Sequence, residues 1–481
     1  VDPIEPIGPA DEAPAALAAL AGRTFAIVDD GRGVALHLSA LLEERGATVA
    51  LLPSDEAPAG VDGLVHLGFL APGSELSLTA TFAQVKAALV GGLGSLVVAT
   101  GFGGSFGIPF GGRPAPDDDG LPVGGGAHGL VRTVAREYPE CRVRAVDLDP
   151  KDDPSRLAEH LLAELAATDD LVDVGRTNGT RLTLRVVPAE LDDEGVGEAA
   201  PLVTGDSVVL LTGGARGITA RVAVALAREG CGHLELVGRS ALPDGDEDPA
   251  TAAAADAVGL RRALIGQGLD DPAAIEAATT RLLAEREVRA TLATLADLGA
   301  EVVYHRADVR DAEALAAIVA GVHERHGRLD GVVHGAGVLE DKFVRDKTTE
   351  SFERVFATKV DGARTLTTAL RPDVGFVVLF ASIAGVFGNR GQVDYAAAND
   401  ALDTLARTAA GRFEGRVVSV DWGPWAGTGM VSAELEREYA RRGIGLIDPD
   451  DGVSCLLREL RSGRTDAQVV LMRARPDDLD G

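Results

Sequence analysis

The stretch SVVLLTGGARGITARVAVALAREG, Ser207–Gly230, decides how the chain is expected to fold. Its apolar start is typical of a buried strand, and its Ala-, Val- and Leu-rich end predicts a helix. Glycines join the two, because the backbone there must turn tightly and approach a pyrophosphate whose charge lies at the helix N-terminus. Tight strand-to-helix turns also use glycine for packing alone, so the surrounding sequence has to decide between these uses.

Strand-like apolar runs alternate with amphipathic Ala- and Leu-rich segments along the whole chain, and the pattern occurs twice. Such alternation predicts a parallel sheet with crossover helices. Because the two sets of runs correspond piece by piece, the sequence predicts an α/β protein of two tandem Rossmann-like, doubly wound parallel-sheet subdomains. The strands are expected at 24–30, 47–52, 63–69, 95–101 and 142–149, then at 207–213, 233–240, 301–309, 331–338, 375–382 and 416–423.

The composition along the chain indicates where these subdomains begin and end. We expect linkers at residues 1–22, which are acidic and Pro-rich, and at 191–206, which are acidic and contain glycine. The first subdomain is expected at 23–190 and the second at 207–475, with an Ala-rich helical insertion on the surface at 241–289. The chain starts without methionine, so we expect a fragment of a longer protein.

Charge and cysteine content argue against several classes of partner. The 481 residues carry 46 basic and 74 acidic side chains, and the net charge of −28 disfavours a nucleic-acid groove or an anionic membrane. Cys141, Cys231 and Cys455 lie far apart, so neither a disulfide framework nor a zinc site is predicted. No apolar run approaches the roughly 20 residues that span a bilayer. We therefore expect a cytoplasmic protein without metal, nucleic-acid or membrane ligands.

The glycine turn is interpreted as a dinucleotide site. Where the next strand ends, an NAD-preferring site usually carries an acidic residue for the ribose hydroxyls, whereas this chain has Arg239, whose cation and donors suit a 2′-phosphate. With Arg216 as a second contact, the sequence favours NADPH. Either arginine alone is equally well explained as a solvated surface residue, but both around one loop are less so. The expected cofactor contacts here are Thr212, Gly213, Gly214, Arg216, Gly217, Ile218, Arg239 and Ser240.

Two further strand ends are expected to face the cofactor. Asp308 and Val309 follow the third strand of the second set, where the Asp308 carboxylate can accept from an adenine amino group. After the fourth strand, small residues allow the cofactor to approach the backbone, and His334 before them is interpreted as structural. These small residues are Gly335, Ala336 and Gly337.

The first half does not carry the same features. Its corresponding turn, DDGRGVA, puts Asp29 and Asp30 where a pyrophosphate would need hydrogen-bond donors, so cofactor binding is disfavoured there. Gly101 corresponds to Ser382 of the second half, and no tyrosine follows at the matching distance. The first half is therefore expected to be a degenerate copy that serves as a scaffold.

Ser382 and Tyr395 are the expected catalytic pair. The reduction of a ketone with NADPH needs a hydride donor on one face of the carbonyl and a proton donor at its oxygen. Ser382, at the end of the fifth strand, can hydrogen-bond the carbonyl oxygen, and Tyr395, at the start of the next helix, can deliver the proton. A phenol with an ordinary pKa of about 10 is a poor acid near neutral pH unless a nearby cation stabilises the phenolate.

Five segments resemble the ketoreductase (KR) domain of multifunctional type I polyketide and polyunsaturated fatty acid synthases. They are TGGARGIT, HGAGVLEDKFV, ATKVDGARTL, FASIAGVFGNRGQVDYAAANDAL and VDWGPWAGTGM. The resemblance covers essentially the whole chain and implies a short-chain dehydrogenase/reductase fold preceded by a degenerate copy of itself. The helical insertion and GGARGIT are similar to the iterative enediyne and polyunsaturated fatty acid synthases more than to modular ketoreductases.

The resemblance implies roles for two more residues. Four residues after the tyrosine, ordinary short-chain reductases have a lysine, but this chain has Asn399. In synthase-borne ketoreductases the lysine and asparagine have exchanged places, and Lys359, in the context TKVDGARTL, matches the exchanged lysine. The resemblance therefore implies that Lys359 lowers the pKa of Tyr395 and holds the nicotinamide ribose, and that Asn399 supports a proton relay. By itself, a lysine on an amphipathic helix is ordinarily a solvated surface group.

The resemblance also bears on stereochemistry. Ketoreductases that give the D-(3R) alcohol carry Leu-Asp-Asp after the fourth strand, and this chain has Leu339, Glu340 and Asp341, which departs at Glu340 and keeps the more diagnostic last aspartate. The opposite class has a tryptophan eight residues before the tyrosine, where this chain has Phe387. Asp341 and Phe387 are therefore the expected stereocontrol residues of a B-type enzyme.

The implied activity is NADPH-dependent reduction of a β-ketoacyl thioester on the phosphopantetheine arm of an acyl carrier protein, beside other synthase domains. Two alternatives stay open: an inactive ketoreductase-like scaffold domain, and a stand-alone dehydrogenase of a free ketone. The presence of all four residues Lys359, Ser382, Tyr395 and Asn399 argues against the first, and the Pro-rich start without methionine against the second. Two fused halves imitate a dimer, so a monomer is expected for the excised domain.

Overall fold

The computed structural model describes residues 4–8, 14–53, 56, 58–71, 73, 75–110, 121–191, 201–242, 245–427, 433–441 and 443–474. These residues form two sheets, one from each half of the chain, and each sheet has a buried apolar cluster on both faces. The predicted α/β class with two tandem Rossmann-like subdomains is confirmed.

The first half forms an eight-stranded sheet. Its strands are β1 (Ile4–Ile7), β2 (Thr24–Val28), β3 (Thr48–Leu52), β4 (Gly63–His66), β5 (Ser95–Thr100), β6 (Arg142–Leu148), β7 (Asp173–Thr177) and β8 (Thr180–Leu184). Its helices are α1 (Pro14–Ala18), α2 (Val34–Glu43), the 3-10 helix Gly68–Leu70, α3 (Leu78–Val90), α4 (Ala127–Glu137) and α5 (Pro154–Ala166). The order is β1-β8-β7-β6-β5-β4-β2-β3, and β8 pairs antiparallel with both β7 and β1, whereas the other neighbouring strands pair in parallel.

The second half forms a seven-stranded, fully parallel sheet. Its strands are β9 (Val208–Thr212), β10 (His233–Gly238), β11 (Glu301–Arg306), β12 (Gly331–His334), β13 (Phe376–Ser382), β14 (Arg416–Trp422) and β15 (Gln468–Leu471). Its helices are α6 (Gly217–Arg228), α7 (Pro249–Ala252), α8 (Ala257–Gly266), α9 (Pro272–Asp297), α10 (Ala312–His326), α11 (Thr349–Ala369), α12 (Ile383–Phe387), α13 (Val393–Ala409), α14 (Ala433–Arg441) and α15 (Pro449–Arg461).

The order of this second sheet, β11-β10-β9-β12-β13-β14-β15, places a switch point between β9 and β12. The chain moves outward from β9 to β11 on one side and then returns to β12 on the other. Connections that leave in opposite directions open a crevice at the carboxyl ends of the two strands. Thr212 and His334 end these strands side by side, so the predicted site residues converge on this crevice.

One predicted boundary in the first half needs correction. The expected linker at 1–22 contains β1, which pairs with β8. Ile4 is buried in a small apolar cluster with Phe106 and Leu182, and the pairing covers an edge of β8 that would otherwise leave backbone groups exposed. In the second predicted linker, at 191–206, residues 192–200 lie outside the described residues.

The predicted insertion at 241–289 is helical, but its predicted end lies inside a helix. The helix α9 runs without a break to Asp297, and Asp271 caps its start by accepting from the N–H groups of Ala273 and Ala274. Beyond its end, Gly299 has φ +81°, in the left-handed region used after helix termini. One helix therefore serves both as the end of the insertion and as the crossover to β11.

The helix α4 of the first half packs directly on α13, which carries Tyr395. A Cβ atom at Gly129 would lie 2.3 Å from the carbonyl oxygen of Ala396, and one at Gly126 would lie 2.5 Å from that of Ala397. Glycine is needed at both positions because any side chain would separate the helices. The first half therefore supports the helix on which the catalytic tyrosine is predicted.

Arg132 of α4 crosses between the halves. Its Nη1 donates to Gly385 O at 2.6 Å and to Asp400 Oδ1 at 3.2 Å in the second half. In the first half its Nε donates to Asp173 Oδ2 at 2.7 Å, and His128 Nδ1 lies 2.7 Å from the other oxygen. Burial acts to raise the pKa of Asp173, but Arg132 and His128 outweigh it and bring it to about 2.

Candidate active site

The turn between β9 and α6 has the backbone shape that its glycines predict. Gly213 and Gly217 have φ values of +74° and +59°, in the left-handed region that favours glycine. Gly214 has another use, because a Cβ atom there would lie 2.9 Å from a leucine side chain of β10. Two of the glycines thus shape the turn, and the third allows close packing of the turn on the sheet.

A cavity of about 470 Å³ extends from this turn along the carboxyl ends of the strands, a size typical of small-molecule sites. Most of the predicted cofactor and catalytic residues line it. They are Gly213, Arg216, Gly217, Ile218, Arg239, Ser240, Val309, Gly335, Ala336, Gly337, Lys359, Ser382 and Tyr395. The wall does not include Thr212, Gly214, Asp308, Asn399, Asp341 or Phe387.

Glu287 of α9 lies at the helix N-terminus where the sequence predicts a pyrophosphate. Its Oε1 accepts from the Gly217 N–H at 2.7 Å, and its Oε2 lies 3.0 Å from Arg216 Nε. Arg216 is therefore paired with this carboxylate, and the predicted contact to a 2′-phosphate would have to compete with that ion pair. Glu287 and Val288, within the predicted insertion, line the cavity, so the insertion is part of the site and not only a surface element.

The carboxyl ends of β10 and β11 form the end of the cavity where the adenine is predicted to bind. Arg239 and Ser240 line it, and the Tyr304 hydroxyl donates to Ser240 O at 2.9 Å. Asp308 is held by Arg310, whose Nη2 donates to Oδ2 at 2.7 Å, and hydrogen bonds from Arg310 lower the pKa of Asp308. A contact from Asp308 to an adenine amino group would have to compete with this ion pair.

Ser382 and Tyr395 lie at the other end of the cavity. Ser382 ends β13, and its Oγ accepts from the Ala384 N–H at 3.3 Å as the cap of α12. Burial raises the pKa of Tyr395 to about 12, although hydrogen bonding with Ser382 and Asn399 acts to lower it. The depressed tyrosine pKa that the sequence predicts is therefore not seen, because burial of the phenol outweighs the groups that stabilise its anion.

Lys359 of α11 is buried beside the tyrosine, with 5 % exposure. Its Nζ lies 5.2 Å from the centroid of the Tyr395 ring and donates to Phe380 O at 2.6 Å. Burial lowers the pKa of Lys359 to about 8, while Asp421 and Asp403 act to raise it. A lysine that the sequence alone would leave on the surface therefore lies in the wall of the site.

His334 connects the glycine turn to this lysine. Its Nδ1 lies 2.8 Å from the Thr212 hydroxyl, and its Nε2 lies 2.8 Å from the carbonyl oxygen of Lys359. Burial lowers the pKa of His334 to about 4. The imidazole is therefore neutral and hydrogen-bonded at both ring nitrogens, as the predicted structural role requires.

Asn399 follows Tyr395 by one helical turn. Its Nδ2 donates to the carbonyl oxygen of Tyr395 at 2.7 Å. Its Oδ1 is buried and has no hydrogen-bond partner within the part of the chain that the structure describes. The side chain thus keeps an acceptor available behind the cavity wall.

The two predicted stereocontrol residues lie just behind the cavity. Asp341 accepts from Gln392 Nε2 at 3.1 and 3.2 Å, and Gln392 lines the cavity. Phe387 packs on the apolar cluster that contains Tyr439, another residue of the lining. Each therefore contacts a residue of the cavity lining or its cluster without lining the cavity itself, and neither Gln392 nor Tyr439 is singled out by the sequence pattern.

A buried ion pair that no sequence pattern predicts lies next to Tyr395. Lys347 Nζ lies 2.5 Å from Asp394 Oδ2, and both side chains are almost fully buried. Lys347 also donates to Glu340 O, and Asp394 accepts from the Tyr395 N–H at 2.9 Å. The pair connects the segment with the stereochemical signature to the helix of the tyrosine.

In the turn of the first half, an aspartate side chain accepts from the backbone donors that a phosphate would need. Asp30 is buried, its Oδ1 accepts from the Ala35 N–H at 2.9 Å, and its Oδ2 accepts from the Val34 N–H at 3.3 Å. The side chain thus occupies the N-terminus of α2, as expected for a degenerate copy. Within the described residues, no cluster of three or more histidine, cysteine or acidic side chains is arranged to hold a metal ion.

Comparison with known proteins relates the second half to one family. Residues 207–427 match the model of the KR domain. A polyunsaturated fatty acid synthase of Thraustochytrium sp. is 32% identical over 363 residues, which are 72% of this chain and 13% of that protein. The erythronolide synthase EryA3 of Saccharopolyspora erythraea is 34% identical over 350 residues, 72% of this chain and 9% of that protein. The chain therefore spans a small part of these relatives.

Solved structures resemble the whole chain. A structure described as A-type ketoreductases from a modular polyketide synthase matches with a TM-score of 0.72 and 25% identity, covering 98% of this chain and 92% of that one. The first ketoreductase of the tylosin synthase matches with a TM-score of 0.69 and 27% identity, covering 94% and 90%. In the described part of this chain, every helix is too short or too polar to cross a membrane.

Proposed function

The chain belongs to the KR domain family, as a ketoreductase domain of the polyketide synthase type, and from this premise we propose that it reduces a β-ketoacyl thioester with NADPH to the D-(3R)-β-hydroxyacyl thioester. The observation that carries the proposal is the convergence of Lys359, Ser382 and Tyr395 on one end of the cavity that begins at the glycine turn. In the relatives, such domains are parts of long synthases, so the substrate is proposed to be held by an acyl carrier protein.

The residues at this end of the cavity have distinct roles in the proposed reaction. NADPH supplies a hydride when bound. Ser382 donates a hydrogen bond to the substrate carbonyl oxygen, and Tyr395 gives that oxygen its proton. The ammonium of Lys359, close to the phenol ring, stabilises the phenolate that remains. Asn399 Oδ1 is proposed to accept from a water that returns the proton.

The lining of the other end supports a dinucleotide with a 2′-phosphate. The backbone at Gly217 can be approached closely, since the space where this residue would carry a Cβ atom is clear of other atoms, although its N–H now donates to Glu287. Arg239 lines the cavity where the ribose is expected, and no acidic side chain lies at that strand end in place of it. We therefore assign the 2′-phosphate to Arg239, with Ser240 beside it, and not to Arg216.

The function is tested by incubating the protein with NADPH and β-ketoacyl thioesters of graded chain length. We expect NADPH oxidation, a higher kcat/KM with NADPH than with NADH, and the D alcohol on chiral chromatography. An L alcohol would overturn the stereochemical assignment, which depends on Asp341 acting through Gln392. A folded protein that bound no NADPH would be the inactive scaffold domain instead.

Removal of the Glu287 carboxylate should tighten NADPH binding. In the structure this carboxylate accepts from the Gly217 N–H, which the pyrophosphate needs, and it also adds a negative charge at the helix N-terminus. A charge at that position is worth about 0.3–1 kcal/mol, so Glu287→Ala is expected to lower the Kd for NADPH about two- to fivefold. Fluorescence titration of NADPH measures the change.

Glu285→Ala is the matched control for this substitution. Glu285 lies on the same helix but pairs with Arg281 at 3.4 Å and does not line the cavity. Its removal should leave the Kd unchanged. An equal effect of both substitutions would mean that the total charge, and not the position of Glu287, governs binding.

A further inference from the structure

Two buried carboxyl groups lie behind Lys359, on α13 and β14. Asp403 is 1 % exposed and Asp421 is 0 % exposed. The Ser419 hydroxyl donates to Asp403 Oδ1 at 2.6 Å, and Gln468 Nε2 donates to Asp421 Oδ2 at 2.8 Å. Among the described residues, the other two oxygens, Asp403 Oδ2 and Asp421 Oδ1, have no hydrogen-bond donor. A buried carboxylate oxygen without a donor is costly.

The geometry places these two oxygens on the same side of β14. Ser419 and Asp421 are two residues apart on the strand, so their side chains project from one face of the sheet. Because Ser419 contacts Asp403, the Asp421 carboxyl group is directed to the same region. Two carboxyl groups that lie so close in a buried site do not both ionise, so the pair keeps one proton that satisfies both oxygens.

Charged groups from the neighbouring elements act differently on the two carboxyl groups. Burial raises the pKa of Asp403 to about 7, while Arg407 and Arg132 act to lower it and Asp400 acts to raise it. Burial and the charge of Asp403 raise the pKa of Asp421 well above its usual range. Asp403 therefore ionises at a lower pH than Asp421, and its charge holds the proton on Asp421.

The remaining charge of the pair acts on Lys359. Tyr395, Asn399 and Asp403 follow one another at four-residue spacing on one face of α13, so the pair lies in line with the catalytic end of the cavity. The other hydrogen-bond partners given for Lys359 among the described residues are uncharged. Its Nζ donates to Phe380 O. Its carbonyl oxygen lies within hydrogen-bond distance of His334, which burial keeps neutral. A buried ammonium needs a nearby negative charge to stay protonated.

We propose that Asp403 and Asp421 share one proton and supply the negative charge that keeps Lys359 protonated. Both are positioning residues, since they touch neither the substrate nor the cofactor cavity and act through Lys359. The catalytic consequence rests on the proposed reductase function, but the charge coupling itself does not. Asp421, a buried residue of β14, thereby receives a role that no motif in the sequence assigns to it.

The direction of the pH effect follows from the sign of the charge. Burial already lowers the pKa of Lys359 to about 8, so the enzyme should lose activity as the pH rises above that value. Asp403→Asn removes the negative charge of the pair, because the amide cannot ionise and burial still keeps the proton on Asp421. The pKa of Lys359 should fall further, and activity should be lost at lower pH than in the wild type.

The test is the titration of the lysine ammonium itself. The chain has five lysines, Lys86, Lys151, Lys342, Lys347 and Lys359, so NMR of protein labelled at the lysine ε-carbon resolves few signals, and Lys359→Arg assigns the relevant one. In Asp403→Asn we expect the Lys359 midpoint to move down by about one pH unit. The alkaline limb of kcat/KM should move by the same amount. The double variant Asp403→Asn/Asp421→Asn should act in the same direction.

Glu459→Gln is the matched control. Glu459 is a buried carboxylate whose partner is Arg416 at 2.7 Å, at the opposite end of β14 from Asp421. Its neutralisation should leave the Lys359 midpoint unchanged. The folding of each variant is checked by its urea unfolding midpoint, and the double variant Asp403→Asn/Asp421→Asn replaces Asp403→Asn as the test if the latter does not fold.

The charge coupling and the reductase function can be disproved separately. A Lys359 midpoint that stays unchanged in a folded Asp403→Asn variant, or in the folded double variant, overturns the proposed coupling, whatever the activity. A midpoint that moves in a protein without thioester reduction supports the coupling and removes the reductase function. A midpoint that moves equally in Glu459→Gln would show a general effect of charge and would overturn the specific role of the pair.

Discussion

Tyr395→Phe should reduce kcat for thioester reduction by about 10²- to 10⁴-fold, the range that a positioned acid contributes. The substitution removes only the phenolic hydroxyl, so the ring keeps its contact with Lys359 Nζ, 5.2 Å from the ring centroid. The hydroxyl is the proposed proton donor, and Tyr395 is also among the predicted cofactor contacts, so the Kd for NADPH should change much less than kcat. Stopped-flow measurement of a single turnover, with a separate NADPH titration, distinguishes the two quantities.

Tyr304→Phe provides the matched control within the same cavity. The Tyr304 hydroxyl donates to Ser240 O at the opposite end, so its loss should change the affinity for NADPH and leave kcat nearly unaffected. If Tyr395→Phe retained the wild-type kcat, another group would have to donate the proton, and the assignment of Tyr395 would be wrong.

Arg132→Met should destabilise the protein by about 3–5 kcal/mol, the cost of removing one partner from a buried ion pair. The guanidinium joins Asp173 of the first half to Asp400 and Gly385 O of the second. Methionine fills a similar volume but leaves both carboxylates without their cation. Urea unfolding followed by tryptophan fluorescence reports the second half directly, because Trp422 and Trp425 both lie there.

Arg261→Met removes a comparable pair from an exposed surface. Arg261 Nε lies 2.6 Å from Glu276 Oε1, with side chains 40% and 56% exposed. Exposed pairs contribute about 0–1 kcal/mol, so this variant should unfold close to the wild type. A loss of stability in Arg132→Met no larger than in Arg261→Met would show that the two halves do not depend on the buried network.

Much of the fold follows from patterns within single elements. The alternation of apolar strands and amphipathic helices predicts both sheets, and the strands expected at 207–213 and 375–382 are observed as β9 and β13. The exchange of lysine and asparagine, read from the motif around Lys359, predicts that this residue belongs with Tyr395, and both line one cavity. The identification as a KR domain is confirmed by the family match over 207–427.

The burial and the charged neighbours of each site residue could not be predicted from patterns within single elements. The sequence predicts a lowered pKa for Tyr395, but burial of the phenol raises it to about 12. It predicts that Arg216 contacts a phosphate, but Glu287, 71 residues later, pairs with it. Burial and charge depend on every element that packs around a group, and a motif describes only one of those elements.

The sequence by itself determined the fold class, the glycine turn and the candidate pair Ser382 and Tyr395, because each is encoded in short-range spacing of residue types, and the family resemblance added Lys359. Only the tertiary structure decided that the insertion reaches the cofactor turn through Glu287 and that Asp403 and Asp421 lie behind the lysine. These contacts join residues far apart in the chain, and their energies come from desolvation and charge in the packed interior, which no local pattern contains.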